Sequence, residues 1–274
     1  MALGIWSFNR NNMNKTENLP IREHIIRCSA VSGQGHIPTS FSVVEMIVAT
    51  YSRMRHFPAA PDSPERDIFI LSKGHAALGY YCCLSELGYF SQEDVNTFGA
   101  AGSRFGCHPD RTKCEGVEVS SGSLGHGIGI GVGMALAFKI QKSTRRVFVL
   151  VGDGESNEGS VWESLMVACN LSLSNFTILY DHNRSQKACL QIENPSERLR
   201  AFGCQTVDVD GHNMEEIAAA IDLQATACPK AIVCKTIKGK GCPTLVENVY
   251  EWHRKSPKKQ ELETLLKELY ATTI

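Results

Sequence analysis

Two short apolar runs joined by one helical segment constrain this chain more than anything else in it. Val147 to Val151 is an unbroken apolar run ending in Gly152-Asp153-Gly154, and Phe176 to Tyr180 is a second, ending in Asp181-His182-Asn183. Their β-branched and aromatic content predicts strands buried on both faces, as in a parallel sheet. Between them, Glu158 to Leu171 sets Val161, Leu165 and Ala168 at helical spacing, so the unit reads strand–helix–strand. The fold class expected is α/β, a parallel sheet flanked by helices. Ligands of such sheets collect at the carboxyl ends of the strands, where Asp153 and Asn183 would stand side by side.

That pairing has a chemical meaning. Mg²⁺ and Ca²⁺ are hard ions that take oxygen ligands, and Mg²⁺ is commonly held by few protein groups plus phosphate oxygens. The Asp153 carboxylate, the Asn183 amide oxygen and a backbone carbonyl just beyond it would supply half an octahedron, with a diphosphate and water completing it. Gly152 and Gly154 let the backbone approach a diphosphate, and the following helix start suits an anion. Taken alone, the same residues also suit a tight Asp-Gly turn with Asn183 as a cap.

Bulk properties bound the reading. The chain has 274 residues, enough for one large α/β domain or two small ones, with hydrophobic and charged fractions (43% and 21%) ordinary for a globular protein. A net charge of −1 offers no general attraction to nucleic acid or to anionic lipid. Eleven cysteines are scattered without a CxxC pair, which points to reduced thiols in a cytoplasmic protein. Cys107-His108 with Cys114 matches no zinc spacing, so packing is the expected role of these cysteines. No window is apolar for long enough to span a membrane, and the N-terminal apolar run is too short for a signal peptide. Residues 1–18 read as an arm, with a neighbouring protomer as one place for it to reach.

Along the rest of the chain, histidines recur in turns. Ile21 to Val31 predicts a helix that breaks at Ser32-Gly33-Gln34-Gly35-His36-Ile37-Pro38, and a second helix is expected from Ser42 to about Arg53. Asp67 to Leu71 predicts a strand; Ser72-Lys73-Gly74-His75 then leads into a helix from Ala76 to Leu87. Gly106-Cys107-His108-Pro109 lies in an irregular stretch. Ser120 to Gly127 opens a further helix on which Gly125, Gly129 and Gly133 recur at four-residue spacing. Glycines weaken a helix, so close packing there is expected, against a dimer partner or a cofactor. Each single histidine suits a structural role as well as a functional one.

Together these blocks resemble the transketolase family, in the family's order from about residue 20 to residue 257. The resemblance rests on Ser32-Gly33-Gln34-Gly35-His36, Leu71-Ser72-Lys73-Gly74-His75, Gly106-Cys107-His108-Pro109, Ser120-Ser121-Gly122-Ser123-Leu124-Gly125 and Gly152-Asp153-Gly154 through Glu158-Gly159. Asn183, Val209-Asp210-Gly211-His212-Asn213, Lys235-Thr236-Ile237-Lys238-Gly239 and Glu251-Trp252-His253 extend it. It implies a thiamine-diphosphate-binding domain over 19–257, with 258–274 a C-terminal helix or linker end.

By resemblance, Asp153, Asn183 and the Ser185 carbonyl would ligate Mg²⁺, for which Ca²⁺ or Mn²⁺ can substitute. Gly152, Gly154 and Glu155 would lie against the diphosphate, with His75 and His253 donating to it, while Gly122, Ser123 and Leu124 would line the rings of the cofactor. His36 and His108, with His75 and His253, would be the catalytic histidines, facing sugar hydroxyls and developing oxyanions. Glu158 matches a carboxylate at the family's subunit interface; as a carboxylate at a helix start it also suits the helix dipole. The activity implied is transfer of a two-carbon ketol unit from a ketose, phosphorylated or otherwise acidic, to an aldose.

The chain departs from the family at His126, where Gln is usual, at His182, where Asp or Asn is usual, and at Arg254, where Gly is common. After Asn183, Arg184-Ser185-Gln186-Lys187-Ala188-Cys189 replaces a Leu/Ile-x-Asp-Gly turn, so the expected Ser185 ligand rests on an altered loop. The family's pyrimidine-binding and C-terminal domains are not in this sequence. The expectation is therefore one half of a split, two-chain transketolase: the N-terminal, diphosphate-binding subunit. It would be active with a second polypeptide that carries the missing domains, in an α2β2 heterotetramer. Two readings compete: a deoxyxylulose-phosphate-synthase-like or 2-oxoacid dehydrogenase subunit, and a non-catalytic scaffold or regulatory protein that keeps the fold.

Overall fold

The computed structural model describes residues 18–188, 190–224 and 227–272. The expected N-terminal arm lies outside the described residues except for Asn18. Helix α1 (Leu19–Ser32) begins with Pro20 in its first turn and closes on Gly33, whose φ of 69° lets its N–H reach the Ser29 carbonyl. Helix α2 (Ile37–Tyr51) starts earlier than the expected Ser42, because Pro38 sits in its first turn, where the missing N–H is no loss. Every residue of α2 is buried, as suits a helix that is apolar on all sides.

Strand β1 (Ile68–Leu71) follows, then a single 3₁₀ turn at Gly74–Ala76 and helix α3 (Ala77–Glu86). After the short α4 (Gln92–Val95) comes a long irregular stretch leading to α5 (His126–Ile140). Strand β2 (Val147–Gly152), helix α6 (Gly159–Asn170) and strand β3 (Phe176–His182) form the expected strand–helix–strand unit. Beyond the elements read from the sequence lie α7 (Pro195–Ala201), β4 (Gln205–Asp210), α8 (Met214–Asp222), β5 (Lys230–Lys235) and α9 (Pro243–Glu247). The final helix, α10 (Lys259–Ala271), buries Leu265 and Leu269 in the same core as α1.

The five strands form one parallel sheet in the order β1-β2-β3-β5-β4. Alternation divides each strand between two cores. Phe148 and Leu150 of β2 pack with α1, α2, α3 and α8, whereas Val147, Val149 and Val151 pack with α5 and α6. Both faces are covered, which is why the strands read as continuous apolar runs.

The glycines of α5 act differently from expectation. Gly129 and Gly133 are exposed, and a Cβ on Gly133 would meet nothing within 4 Å. The close approaches fall on Gly127 and Gly131: a Cβ on Gly127 would lie 2.8 Å from Ser72 Cα, and one on Gly131 would lie 2.5 Å from Val149. The four-residue spacing is real, but the stripe that meets the sheet is offset by two residues.

Candidate functional site

The carboxyl ends of β2 and β3 bring Asp153 and Asn183 together, with Ser185 between them. Asp153 is fully buried. Its Oδ1 accepts from the Gly154 N–H (2.6 Å) and the Ser185 hydroxyl (2.6 Å), and its Oδ2 accepts from the Ser185 N–H (3.1 Å). The same Ser185 N–H also lies 3.0 Å from Asn183 Oδ1. Two oxygen donors therefore face one point. What Ser185 turns toward Asp153 is its N–H and hydroxyl, whereas its carbonyl is the group the sequence leads one to expect there.

Burial pushes the Asp153 carboxyl above its usual range, against the pull of the Ser185 hydroxyl. Among the described residues no cation lies within ion-pair distance of it. A buried carboxylate left uncompensated in this way, beside an amide oxygen, fits a hard divalent cation. No cluster of three His, Cys, Asp or Glu side chains suited to a metal exists among the described residues. A cation here would depend on mixed oxygen donors.

Glu155 does not face outward. Its carboxylate is buried and gathers three strand-end segments: Oε1 accepts from Ser72 Oγ (2.5 Å) and the Gly125 N–H (2.9 Å), and Oε2 from the Gly152 N–H (3.1 Å). Burial raises its pKa, opposed by these same donors. Its side chain thus fixes the Gly152-Asp153-Gly154 turn from below. Ser121 Oγ donates to the Leu71 carbonyl (2.6 Å), so Gly122, Ser123 and Leu124 are held between two anchored ends.

Three of the four expected catalytic histidines converge. The ring centroids of His36 and His75 lie 5.7 Å apart, those of His36 and His253 5.1 Å, and those of His75 and His253 6.0 Å. Glycines make this possible: a Cβ on Gly35 would lie 2.2 Å from the Arg254 carbonyl carbon, and one on Gly74 2.8 Å from the Gly122 nitrogen. His36 caps α2 with a φ of 71°, a left-handed conformation that costs a residue with a Cβ about 1–2 kcal/mol. Burial, then the charges of His253, His108, Arg254 and Lys238, push His36 down to about 4. Burial and neighbouring cations lower His75 and His253 too. At neutral pH the cluster is uncharged. His108 is exposed and packs its ring against Gly122 at the rim of this group.

Lys238, unassigned from the sequence, joins the two halves of the site. Its Nζ lies 3.4 Å from His253 Nδ1. Burial, then Lys73, lower its pKa to about 8, while Asp181 and Asp153 pull it upward. It lines a cleft of about 550 Å³ with Asn183, Ser185, Arg184, Lys235 and Lys240, an anion-attracting surface beside the cation position.

The segment carrying Lys238 is held by residues to which the sequence alone assigns no role. The Ile237 N–H donates to His212 Nε2 (2.8 Å), and His212 Nδ1 lies 3.1 Å from Glu45 Oε2. Arg22 pairs with Glu45 at 2.7 Å. Burial pushes the Glu45 carboxyl up, but Arg22 and His212 outweigh it and hold it well below the usual range. Beneath the site, Lys73 Nζ lies 2.5 Å from the buried Asp181. These charges are paired across long stretches of sequence, so no local spacing reveals them. Glu158 is not brought into the site: it is exposed at the start of α6, its Cβ against Gly125.

The family described as transketolase, thiamine diphosphate binding domain, matches residues 21–271. One of the two polypeptides of an apulose-4-phosphate transketolase, from Actinobacillus succinogenes, is 37% identical over 257 residues, covering 91% of this chain and 93% of that one. A 6-deoxy-6-sulfo-D-fructose transketolase subunit from a Clostridium species is 38% identical, with 76% and 79% covered. Against the transketolase of Mus musculus, 36% identical, the chain spans 41% of the relative's length. A crystal structure of transketolase from Pichia stipitis superposes with a TM-score of 0.85 at 27% identity, over 94% of this chain and 43% of that one.

Proposed function

This chain belongs to the transketolase family, and from that premise we propose that it binds thiamine diphosphate and a divalent cation at Asp153 and Asn183. It is the diphosphate-binding subunit of a two-chain transketolase, moving a two-carbon ketol unit from an acidic ketose to an aldose. The observation that carries this reading is the fully buried Asp153 carboxylate, which faces the Asn183 amide oxygen and has no cation partner among the described residues.

When bound, thiamine diphosphate supplies the carbanion chemistry that cleaves and re-forms the bond beside a ketose carbonyl. The chain's residues do the rest. Asp153 and Asn183 hold the cation; the Gly154 backbone and the Lys238 ammonium meet the diphosphate oxygens. With Lys238 Nζ directed at His253 Nδ1, the His253 proton sits on Nε2, ready to donate away from the lysine. His36, neutral with its pKa near 4, can accept a proton from a sugar hydroxyl or donate to its oxygen without becoming a fixed charge. His75 shares that role, and His108, at the rim, reaches the outer hydroxyls. Ser123 and Leu124 line the cofactor rings.

Support for a separate partner comes from a relative named as one subunit of its enzyme, which this chain matches over 93% of its length. Relatives with names citing a phosphorylated and a sulfonated sugar support an acidic ketose. Glu158, exposed beside Gly125, suits the contact between two copies of this chain in an α2β2 assembly. The cytoplasm is the compartment that fits the free thiols, and among the described residues no helix is long and apolar enough to cross a membrane.

The test is equilibrium binding of thiamine diphosphate with Mg²⁺ to the two-chain complex. Saturable binding that Asp153→Ala abolishes is expected. Binding that survives Asp153→Ala would place the cofactor elsewhere.

A further inference from the structure

A carboxylate beneath the cation position selects which way the Asn183 amide faces. Asp181 lies at the end of β3, two residues before Asn183, and is fully buried. Its Oδ2 accepts from Lys73 Nζ (2.5 Å), Ser42 Oγ (2.8 Å) and Asn183 Nδ2 (2.9 Å), and its Oδ1 from the Thr236 hydroxyl. Four donors from four segments thus converge on one side chain.

An amide has a donor end and an acceptor end of nearly the same shape, so its orientation is set by what stands on each side. On the inner side of Asn183 stands Asp181, which has only lone pairs to offer. On the outer side stands the Ser185 N–H, which can only donate, 3.0 Å from Asn183 Oδ1. The reverse orientation would set oxygen against oxygen inside and N–H against N–H outside. The inner contact is the stronger selector, because its acceptor carries charge and is shielded from water.

We propose that Asp181 is a positioning residue for the divalent cation: it holds the Asn183 amide with its oxygen toward Asp153. This rests on the reading of Asp153 and Asn183 as cation ligands. Partners that orient a metal ligand are worth roughly 10- to 100-fold in metal affinity. Asp181→Asn presents Asn183 with a side chain that can donate as well as accept, and so removes the selection.

The test is Mn²⁺ binding, read by electron paramagnetic resonance, to the two-chain complex with thiamine diphosphate present. Asp181→Asn is expected to weaken Mn²⁺ binding about 10- to 100-fold. The exchanged pair, Asp181→Asn with Asn183→Asp, restores a donor inside and an acceptor outside, and is expected to recover most of that loss. If Asp181→Asn leaves Lys73 unpartnered and does not fold, Lys73→Met with Asp181→Asn removes both charges, and the same weakening is expected. Asp153→Ala separates the two claims. Loss of Mn²⁺ in Asp153→Ala with unchanged binding in Asp181→Asn overturns the role of Asp181 alone. Unchanged binding in Asp153→Ala overturns the cation site itself. A weakened Asp181→Asn that the exchanged pair does not rescue makes Asp181 a structural anchor and overturns the proposal.

Discussion

The rings of His36 and His253 meet edge to face, their centroids 5.1 Å apart and their planes at 88°. No local structure in the long stretch of chain between them brings this about. It follows from Gly35, where the backbone turning into α2 lies directly against the backbone of Arg254. The contact gathers two buried imidazoles at the mouth of the sheet, near two lysines. Neutral histidines are the consequence, and the consequence is measurable.

Stability is expected to fall as pH drops from 6.5 toward 4. His36 has a folded pKa of about 4 against an ordinary value of 6.5. Between these values the unfolded chain binds a proton that the folded chain refuses, so stability rises with pH through that window and is complete above it. His75 and His253 are displaced in the same direction. Urea unfolding at about pH 7.5 and about pH 5, on either side of the ordinary histidine value, checks this. His36→Gln is expected to show a smaller drop between the two than the parent; an equal drop would mean His36 is not the group responsible.

Gly35→Ala tests the backbone contact itself. Its Cβ would lie 2.2 Å from the Arg254 carbonyl carbon, and backbone cannot move aside as a flexible side chain can. A loss of about 1–3 kcal/mol is expected from overpacking of this kind, with weaker thiamine diphosphate binding as His253 is displaced. Unfolding curves and a cofactor titration read the two effects; unchanged values in both would show that Gly35 does not set the contact.

Glu155→Gln keeps the shape but replaces one acceptor oxygen with a donor. At least one of the Ser72, Gly125 and Gly152 donors then loses its partner, for a cost of about 1–3 kcal/mol. Amide hydrogen exchange at Gly125 and Gly152 is expected to quicken. Exchange as slow as in the parent would show that these N–H groups find other acceptors.

Glu45→Gln leaves the Arg22 guanidinium buried without its counter-charge. Breaking a buried pair from one side costs about 3–5 kcal/mol. His212→Ala acts on the other end of the network: the Ile237 N–H loses its acceptor, and faster exchange of that amide, with weaker thiamine diphosphate binding through Lys238, is expected. A Glu45→Gln protein as stable as the parent would show that the network contributes little.

Much of the architecture is legible in the sequence because its signals are local. The runs 147–151 and 176–180 are strands because both faces of the sheet are covered, and burial on both faces leaves an uninterrupted apolar stretch. Asp153 and Asn183 are legible because parallel neighbours end at the same edge. The start of α2 is obscured because Gly33, Gly35 and Pro38 all read as turn residues, although proline is at home in a helix's first turn. On α5, spacing alone does not say which of two glycine stripes faces the sheet. The pairs Lys73–Asp181 and Glu45–His212 are hidden because each joins residues more than a hundred positions apart. A lysine beside a Gly-His turn looks like any solvent-facing cation until the fold buries it.

The most direct test of a split enzyme is the native mass of this chain co-expressed with a polypeptide carrying the pyrimidine-binding domain, with Mg²⁺ and thiamine diphosphate present. The predicted result is a complex of two copies of each chain holding two cofactors, and the same assembly without cofactor for Asp153→Ala. A chain that stays alone and cofactor-free beside a folded partner of that kind would contradict it.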